Sequence, residues 1–316
     1  MIPERAAVRP PVDTSPAGAL TWRSTAAGLL RACRPRQWLK NALVLAAPAA
    51  AGVLTTGPGL RGSLVALVAF CLAASGTYLF NDAADMAADR RHPRKRLRPV
   101  AAGIVSVRLA RITGAILLAA GLLVSLVAGR WQLTAVVAAY LALTFSYTLW
   151  LKRQPVVDLV AVAGCHVIRA YAGAVAVAVP VTSWFLVVIS LGSLLLVAGK
   201  REAELRAQGG DGTTHPTRAT LVVYTASYLA HVRVMASGAM IVTYCLWALQ
   251  EHTGAARAFY ALSIVPFVLV VLRHALLVDR GVGEEPEELA LRDRPLQVFI
   301  ALMLVLLAFG IYLGSI

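Results

Sequence analysis

Asp82, Asp85 and Asp89 stand three and four residues apart in the stretch NDAADMAAD (81–89), directly after the apolar run LVALVAFCLAASGTYLF. At helical spacing the three carboxylates share one face, and Asn81 adds an amide oxygen beside them. Carboxylates placed this way repel one another unless a cation sits among them. Donors made only of oxygen suit Mg2+, which keeps several waters and takes one or two carboxylates together with substrate phosphates. The plain alternative is a solvated helix end whose aspartates pair with Arg90, Arg91 and Arg94. Position favours the metal, because acids at the end of a membrane-length apolar run rarely persist without a function.

A dense run of cations follows: Arg90, Arg91, Arg94, Lys95, Arg96 and Arg98, interrupted by Pro93 and closed by Pro99. Proline stops helix continuation, so a cationic loop is expected after the acidic helix. A divalent metal flanked by Arg and Lys is what a diphosphate group needs: the metal bridges phosphate oxygens and the cations neutralise the rest. Asp82 and Asp85 are the expected metal ligands, with Asn81 or Asp89 binding directly or through water. Arg94, Lys95 and Arg98 are the expected phosphate ligands.

The elements that must hold this cluster follow from composition. The chain has 316 residues, 59% hydrophobic and 15% charged, with mean hydropathy +0.71. Soluble domains carry about 25% charged residues, and a soluble globule could not hide this much apolar surface. The class is all-α, a polytopic membrane protein. At roughly 20 apolar residues per crossing, nine spans are expected, near 41–58, 62–80, 106–128, 132–150, 156–180, 183–199, 232–249, 258–277 and 296–315. Residues 218–230 read as a further helix, interfacial or continuous with the seventh span. Residues 1–30 read as a disordered cytoplasmic tail and 31–316 as one nine-helix domain.

Charge sorting orients the bundle. Arg61, Arg130 and Arg257 fall in the loops of one side and Arg169 lies inside a span; the rest of the 30 Lys and Arg lie on the other side or at its helix ends. That side is cytoplasmic by the positive-inside rule, with the N-terminus cytoplasmic and the C-terminus external. The long polar loops 81–105, 200–217 and 279–295 all face the cytoplasm, which puts the expected site there. The net charge of +14 matches an anionic inner leaflet and anionic substrates better than nucleic acid. Cys33, Cys71, Cys165 and Cys245 show no metal-site spacing and read as small packing residues.

Other polar residues enter the apolar runs. Asp158 and Arg169 share a helical face, about 16 Å apart along the axis, and cannot pair directly. Arg169 needs a partner or a polar cavity; a structural network and a substrate contact are both open. Arg36 and Lys40, with Gln37 and Asn41, open the first span on the cytoplasmic side. Tyr147 sits where a phosphate or hydroxyl contact, or an ordinary interfacial tyrosine, is expected. The loop EEPEELALRDRPLQ (284–297) receives no role.

NDAADMAAD resembles the NDxxDxxxD signature of the UbiA superfamily of intramembrane prenyltransferases, and YTLWLKR (147–153) is similar to that family's tyrosine-lysine motif. The resemblance covers nearly all of the chain after residue 30. It implies nine transmembrane helices around a Mg2+-diphosphate site at the cytoplasmic face, with Tyr147 and Lys152 beside it. Within the superfamily, RPRQWLKN (34–41), HPRKRLRPVAAG (92–103), DLVAVAGCHVIRAYAGA (158–174) and GKREAEL (199–205) resemble the decaprenyl-phosphate phosphoribosyltransferases of actinobacteria. That branch implies transfer of 5-phosphoribose from phosphoribosyl diphosphate to a polyprenyl phosphate, feeding arabinan synthesis in the cell wall at the plasma membrane. The prenyltransferases usually carry a second aspartate motif between helices six and seven. Here Lys200, Arg201, Glu202 and Glu204 occupy that place. The resemblance then assigns Lys200 and Arg201 to the donor's 5-phosphate, Glu204 to ordering them or a ribose hydroxyl, and Asp158 to the ribose or metal side. The implied partners are the donor, the lipid phosphate, the bilayer and, without any motif for it, a homo-oligomer. The competing readings are a prenyltransferase acting on an aromatic acceptor and a transporter; a transporter would spread charges through several helices along a path, whereas these gather at one face.

Overall fold

The computed structural model describes residues 22–93, 95–209, 219–251, 253–281 and 286–314. Among these residues all regular structure is helical. The α-helices are α1 (Trp22–Ala32), α2 (Ala46–Ala50), α3 (Gly57–Ala84), α4 (Met86–Arg91), α5 (Val107–Leu126), α6 (Trp131–Leu149), α7 (Val157–Val177), α8 (Ser183–Gly209), α9 (Ala226–Gln250), α10 (Gly254–Asp279), α11 (Pro286–Arg292) and α12 (Arg294–Gly314). Eight of them, α3, α5 to α10 and α12, are long and apolar enough to cross a membrane.

Two groups of helices share the load. Helices α3, α6 and α7 enclose a core around Phe70, Leu133, Val137 and Tyr140, while α8, α9 and α10 enclose one around Met240, Tyr244, Tyr260 and Phe267. Packing of α7 on α8 joins the halves. Without a hydrophobic drive between lipid-immersed helices, close backbone approach matters, and the α3–α5 seam supplies it. A Cβ on Gly121 would lie 3.0 Å from the carbonyl oxygen of Ala69.

The first expected span needs correction. Residues 41–58 do not form one helix. An eleven-residue 3-10 segment, Pro35–Leu45, leads into the five-residue α2. Together they rise about 30 Å, the thickness of a bilayer core. Their contacts descend α3 in order: Arg34 to Asp82, Trp38 to Ser75, Asn41 to Cys71. The segment therefore runs antiparallel to α3 from one end toward the other, and lies apart from the eight helices long and apolar enough to cross a membrane. Runs of 3-10 helix this long are uncommon, and α7 explains the form. A Cβ on Gly173 would sit 1.7 Å from the Val44 carbonyl oxygen, so only glycine there lets the segment press on α7. The far end, Gly52, abuts Ile311 of α12.

Two smaller expectations also change. Of the tail expected over 1–30, residues 1–21 lie outside the described residues, and the remainder belongs to α1, which begins at Trp22 and buries Gly28 and Ala32 against the loop around Ile104 and Val105. Its run of Ala and Leu finds an apolar partner that composition alone does not announce. The helix expected over 218–230 is a 3-10 turn at Ala219–Val222 followed by the start of α9.

Candidate active site

The acidic stretch lies across a helix break. Helix α3 ends at Ala84, Asp85 adopts φ −91° and ψ 4°, and α4 resumes at Met86. The single continuous face expected for the three aspartates is thus kinked, yet Asp82 and Asp89 still converge. Both are buried. Arg98 Nη1 stands between them, 2.7 Å from Asp89 Oδ2 and 3.4 Å from Asp82 Oδ1. Arg34 Nη2 donates to the same Asp82 oxygen at 2.5 Å, and its guanidinium lies over the Tyr78 ring at 4.8 Å. Buried carboxylates need counterions, and these two arginines serve. Asp85 is half-buried and pairs with no other described side chain; Asn81 is also half-buried.

The cationic loop closes on this pair. A 3-10 turn, Lys95–Leu97, brings Arg98 back over the acids, and Arg90 Nε donates to the Ala101 carbonyl at 3.0 Å. Lys95 is half-buried, its backbone N–H directed at His92 Nδ1. Arg94 lies outside the described residues. Arg36, expected to approach a substrate phosphate at the entry, is exposed. Arg34, two residues earlier, is the arginine that pairs with Asp82. Arg34 adopts a left-handed backbone, φ 53° and ψ 62°, where α1 ends and the chain turns into the 3-10 segment.

A second network gathers the other candidates. Asp158, at the start of α7, is fully buried. It accepts from Arg201 Nε at 3.3 Å, from Thr220 Oγ1 at 3.3 Å and from the Tyr224 hydroxyl. Arg201 reaches on to Glu204 at 3.0 Å and to the Tyr147 hydroxyl at 3.1 Å. Four expected residues, Tyr147, Asp158, Arg201 and Glu204, thereby meet. Asp158 and Arg201 are both buried, and the Asp158 carboxylate bonds to the Arg201 guanidinium. Burial and the carboxylate together push the Tyr224 phenol above its ordinary range. Its oxygen also accepts from the Val156 N–H at 2.6 Å. Val156 holds φ 69°, an outlier for a β-branched residue, so the phenol pins a strained turn at the mouth of α7. Sequence reasoning missed Thr220 and Tyr224, which come from a turn remote in the chain.

The same stretch of α8 is held from its other side. Glu202 is buried and bridges Arg206 at 2.6 Å and Arg233 at 3.1 Å; Arg206 also donates to the carbonyls of Val278 and Asp279 at the end of α10. Glu202 and Arg201 thus anchor α8 in opposite directions. Lys200, next to Arg201 in α8, is half-buried. Lys152 lies in the 3-10 turn Leu151–Arg153 after α6, packed near Ala219–Val222 and α7.

Arg169 takes the structural alternative. Its guanidinium donates to Asn41 Oδ1 at 2.8 Å, the Cys165 carbonyl at 2.9 Å and the Tyr140 hydroxyl at 2.9 Å. It ties the 3-10 segment to α6 and α7. The loop without an expected role caps α12: Asp293 accepts from Arg273 at 2.8 Å and from the Leu296 N–H at 2.9 Å.

Mg2+ fits the acidic cluster by donor chemistry. Among the described residues no three acidic, histidine or cysteine side chains form a complete metal cage. Two convergent carboxylates and the Asp85 carboxylate, which pairs with no other described side chain, supply only hard oxygens, with Arg34 and Arg98 beside them. That is the partial shell a metal shared with a phosphorylated substrate uses.

Comparison with known proteins bears on family and fold. Residues 42–303 match the model of the UbiA prenyltransferase family. The decaprenyl-phosphate phosphoribosyltransferase of Mycolicibacterium smegmatis is 42% identical over 310 residues, covering 92% of this chain and 94% of that one. The decaprenyl-phosphate phosphoribosyltransferase of Mycobacterium tuberculosis is 44% identical over 300 residues, 90% of this chain and 95% of that one. Among solved structures, a UbiA homolog from Archaeoglobus fulgidus bound to GPP and Mg2+ superposes with TM-score 0.67 at 17% identity, over 92% of this chain and 100% of that one. A polytopic helical bundle, an acid cluster at a helix break and a matched family model over most of the length lead to one conclusion: the chain belongs to the UbiA prenyltransferase family.

Proposed function

We propose that this chain is a multi-pass enzyme of the plasma membrane that transfers 5-phosphoribose from phosphoribosyl diphosphate to a polyprenyl phosphate, decaprenyl phosphate in its relatives, and supplies cell-wall arabinan synthesis. The observation that carries it is the pairing of one acidic cluster with a cationic, acid-braced centre at Arg201 where a second aspartate motif would stand. One cluster suits a diphosphate; the other suits an additional phosphate, which a prenyl diphosphate lacks. The names of the relatives point the same way.

Asp82 and Asp85 would hold Mg2+, with Asn81 or Asp89 direct or through water. Bound there, Mg2+ supplies neutralisation of charge on diphosphate oxygens. Arg94, Lys95 and Arg98 hold the diphosphate, and Lys200 and Arg201 the 5-phosphate. Asp158, Glu204 and Tyr147 fix the Arg201 guanidinium before the donor arrives, which is preorganisation rather than rearrangement. Arg36 and Lys40 face the acceptor phosphate, and Lys152 with Tyr147 borders the donor. In the reaction the ribose C1–O bond to diphosphate breaks and its electron pair leaves with diphosphate. An oxygen of the lipid phosphate forms the new bond to C1 from the opposite face, so inversion is expected. A phosphate monoester is anionic at pH 7, which leaves positioning as the protein's main task. The cation-rich face is cytoplasmic, the N-terminus with it, and the C-terminus external.

Donor binding tests this reading. In nanodiscs with Mg2+, phosphoribosyl diphosphate binds more tightly than geranyl diphosphate, and Arg201→Ala removes the difference. Tighter binding of the prenyl diphosphate by the unaltered protein contradicts the proposal.

A further inference from the structure

Arg98 occupies the point a metal bridging Asp82 and Asp89 would take. Its Nη1 lies 3.4 and 2.7 Å from the two carboxylates, and Arg34 shares the Asp82 oxygen. A metal ion needs carboxylate oxygens at about 2.1 Å, and Asp82 Oδ1 and Asp89 Oδ2 are taken by guanidinium N–H groups. A metal between the two carboxylates through those oxygens would collide with Arg98 Nη1. Charge says the same. Arg34 and Arg98 already balance Asp82 and Asp89, so a dication arriving alone meets only the Asp85 carboxylate uncompensated among the described side chains, while a dication arriving with a diphosphate brings its own negative charge.

We infer that Arg34 and Arg98 are exchangeable counterions: they neutralise Asp82 and Asp89 in the free protein, and metal with diphosphate releases them to grip phosphate. This rests on the metal and diphosphate reading above, but on neither donor in particular. The released guanidiniums have the planar fork that phosphate accepts in two bonds. Both side chains are about 29% exposed, so they reach the open side of the cluster, whereas the carboxylates behind them do not. The arginines leave the acids only when another cation replaces them, because an unpaired buried carboxylate is costly. Two consequences follow. Metal alone binds weakly, since it must evict Arg98. Metal and diphosphate bind with positive coupling, since each provides what the other displaces.

The test separates exchange from simple charge repulsion. Mn2+ binding to the full-length protein in nanodiscs is followed by electron paramagnetic resonance, without and with inorganic pyrophosphate. Arg98→Ala is expected to tighten Mn2+ alone by roughly ten-fold or more, the loss of one charge-assisted hydrogen bond in competition, and to shrink the tightening that pyrophosphate gives. Arg34→Gln moves both the same way by less. Arg91→Ala, which removes an exposed cation two residues after Asp89, changes neither. Arg98→Lys, which keeps the charge, guards against a folding defect; it binds Mn2+ alone between the unaltered protein and Arg98→Ala, with thermal unfolding as the control. Unchanged or weaker Mn2+ binding in Arg98→Ala overturns the exchange, as does an equal gain in Arg91→Ala. No Mn2+ binding by the unaltered protein, even with pyrophosphate, removes the metal assignment and this inference with it. Because pyrophosphate is common to both candidate donors, the donor assignment stands or falls separately.

Discussion

Tyr224 and Asp158, 66 residues apart in sequence, share a buried hydrogen bond while the same phenol accepts from the strained Val156 backbone. The start of α7, the turn before α9 and Arg201 of α8 are therefore one mechanical unit. Tyr224→Phe leaves a buried carboxylate and a backbone N–H short of a partner, at about 1–3 kcal/mol. Thermal unfolding should show that loss, and turnover should fall further than stability explains, because Arg201 is no longer held. Full activity in Tyr224→Phe at a temperature where the protein stays folded contradicts the positioning role.

Asp85 separates chemistry from stability. It pairs with no other described side chain and sits at the break between α3 and α4. Asp85→Asn should leave the melting behaviour within about 0.5 kcal/mol of the original and reduce turnover by roughly 100-fold or more. Asp82→Asn should disturb both, since Arg34 and Arg98 lean on that carboxylate. Equal effects of the two substitutions on stability would contradict this division.

The 3-10 segment should be the most fragile part of the bundle to small changes. Gly173→Ala drives a methyl into the Val44 carbonyl, which is backbone and cannot swing aside. Arg169→Met strips hydrogen bonds from Asn41 and Tyr140, costing about 1–3 kcal/mol. Both should lower the yield of folded protein in detergent, and Arg169→Met that does fold should keep the donor's KM. A raised KM with normal stability would move Arg169 into the site.

Asp293 offers a check on pH. The Arg273 N–H groups hold its carboxyl below the usual carboxylate range, aided by the Leu296 N–H. A depressed folded value means that its contribution is present above the ordinary carboxylate range and lost as pH falls through the lower value. The pair is only part-buried, so the effect is small and weakens with salt. Asp293→Asn should flatten acid-side unfolding curves at low salt; an unchanged acid limb refutes the contribution.

Spacing and charge were enough to single out the acidic cluster and its cations, because each is a local pattern on one helix end or one turn, whereas the Arg201 loop stood out only through the family resemblance. Hydropathy was enough to find the eight long apolar helices, since each needs its own apolar run. Long-range contact was not visible in either. Arg36 and Arg34 look alike in RPRQWLKN, and only the left-handed turn at Arg34 decides which reaches Asp82. Thr220 and Tyr224 carry no motif; they matter because the fold sets them on Asp158. The helical form expected for 41–58 failed for a similar reason. Pro48 hinted at irregularity, but Gly173 on a distant helix imposes it.

Product formation tests the central claim most directly. Purified protein in nanodiscs, given decaprenyl phosphate and ribose-labelled phosphoribosyl diphosphate, should yield labelled lipid and free diphosphate in equal amounts, only with a divalent metal present. No labelled lipid, together with prenyl transfer from a prenyl diphosphate to an aromatic acid by the same preparation, would contradict the account.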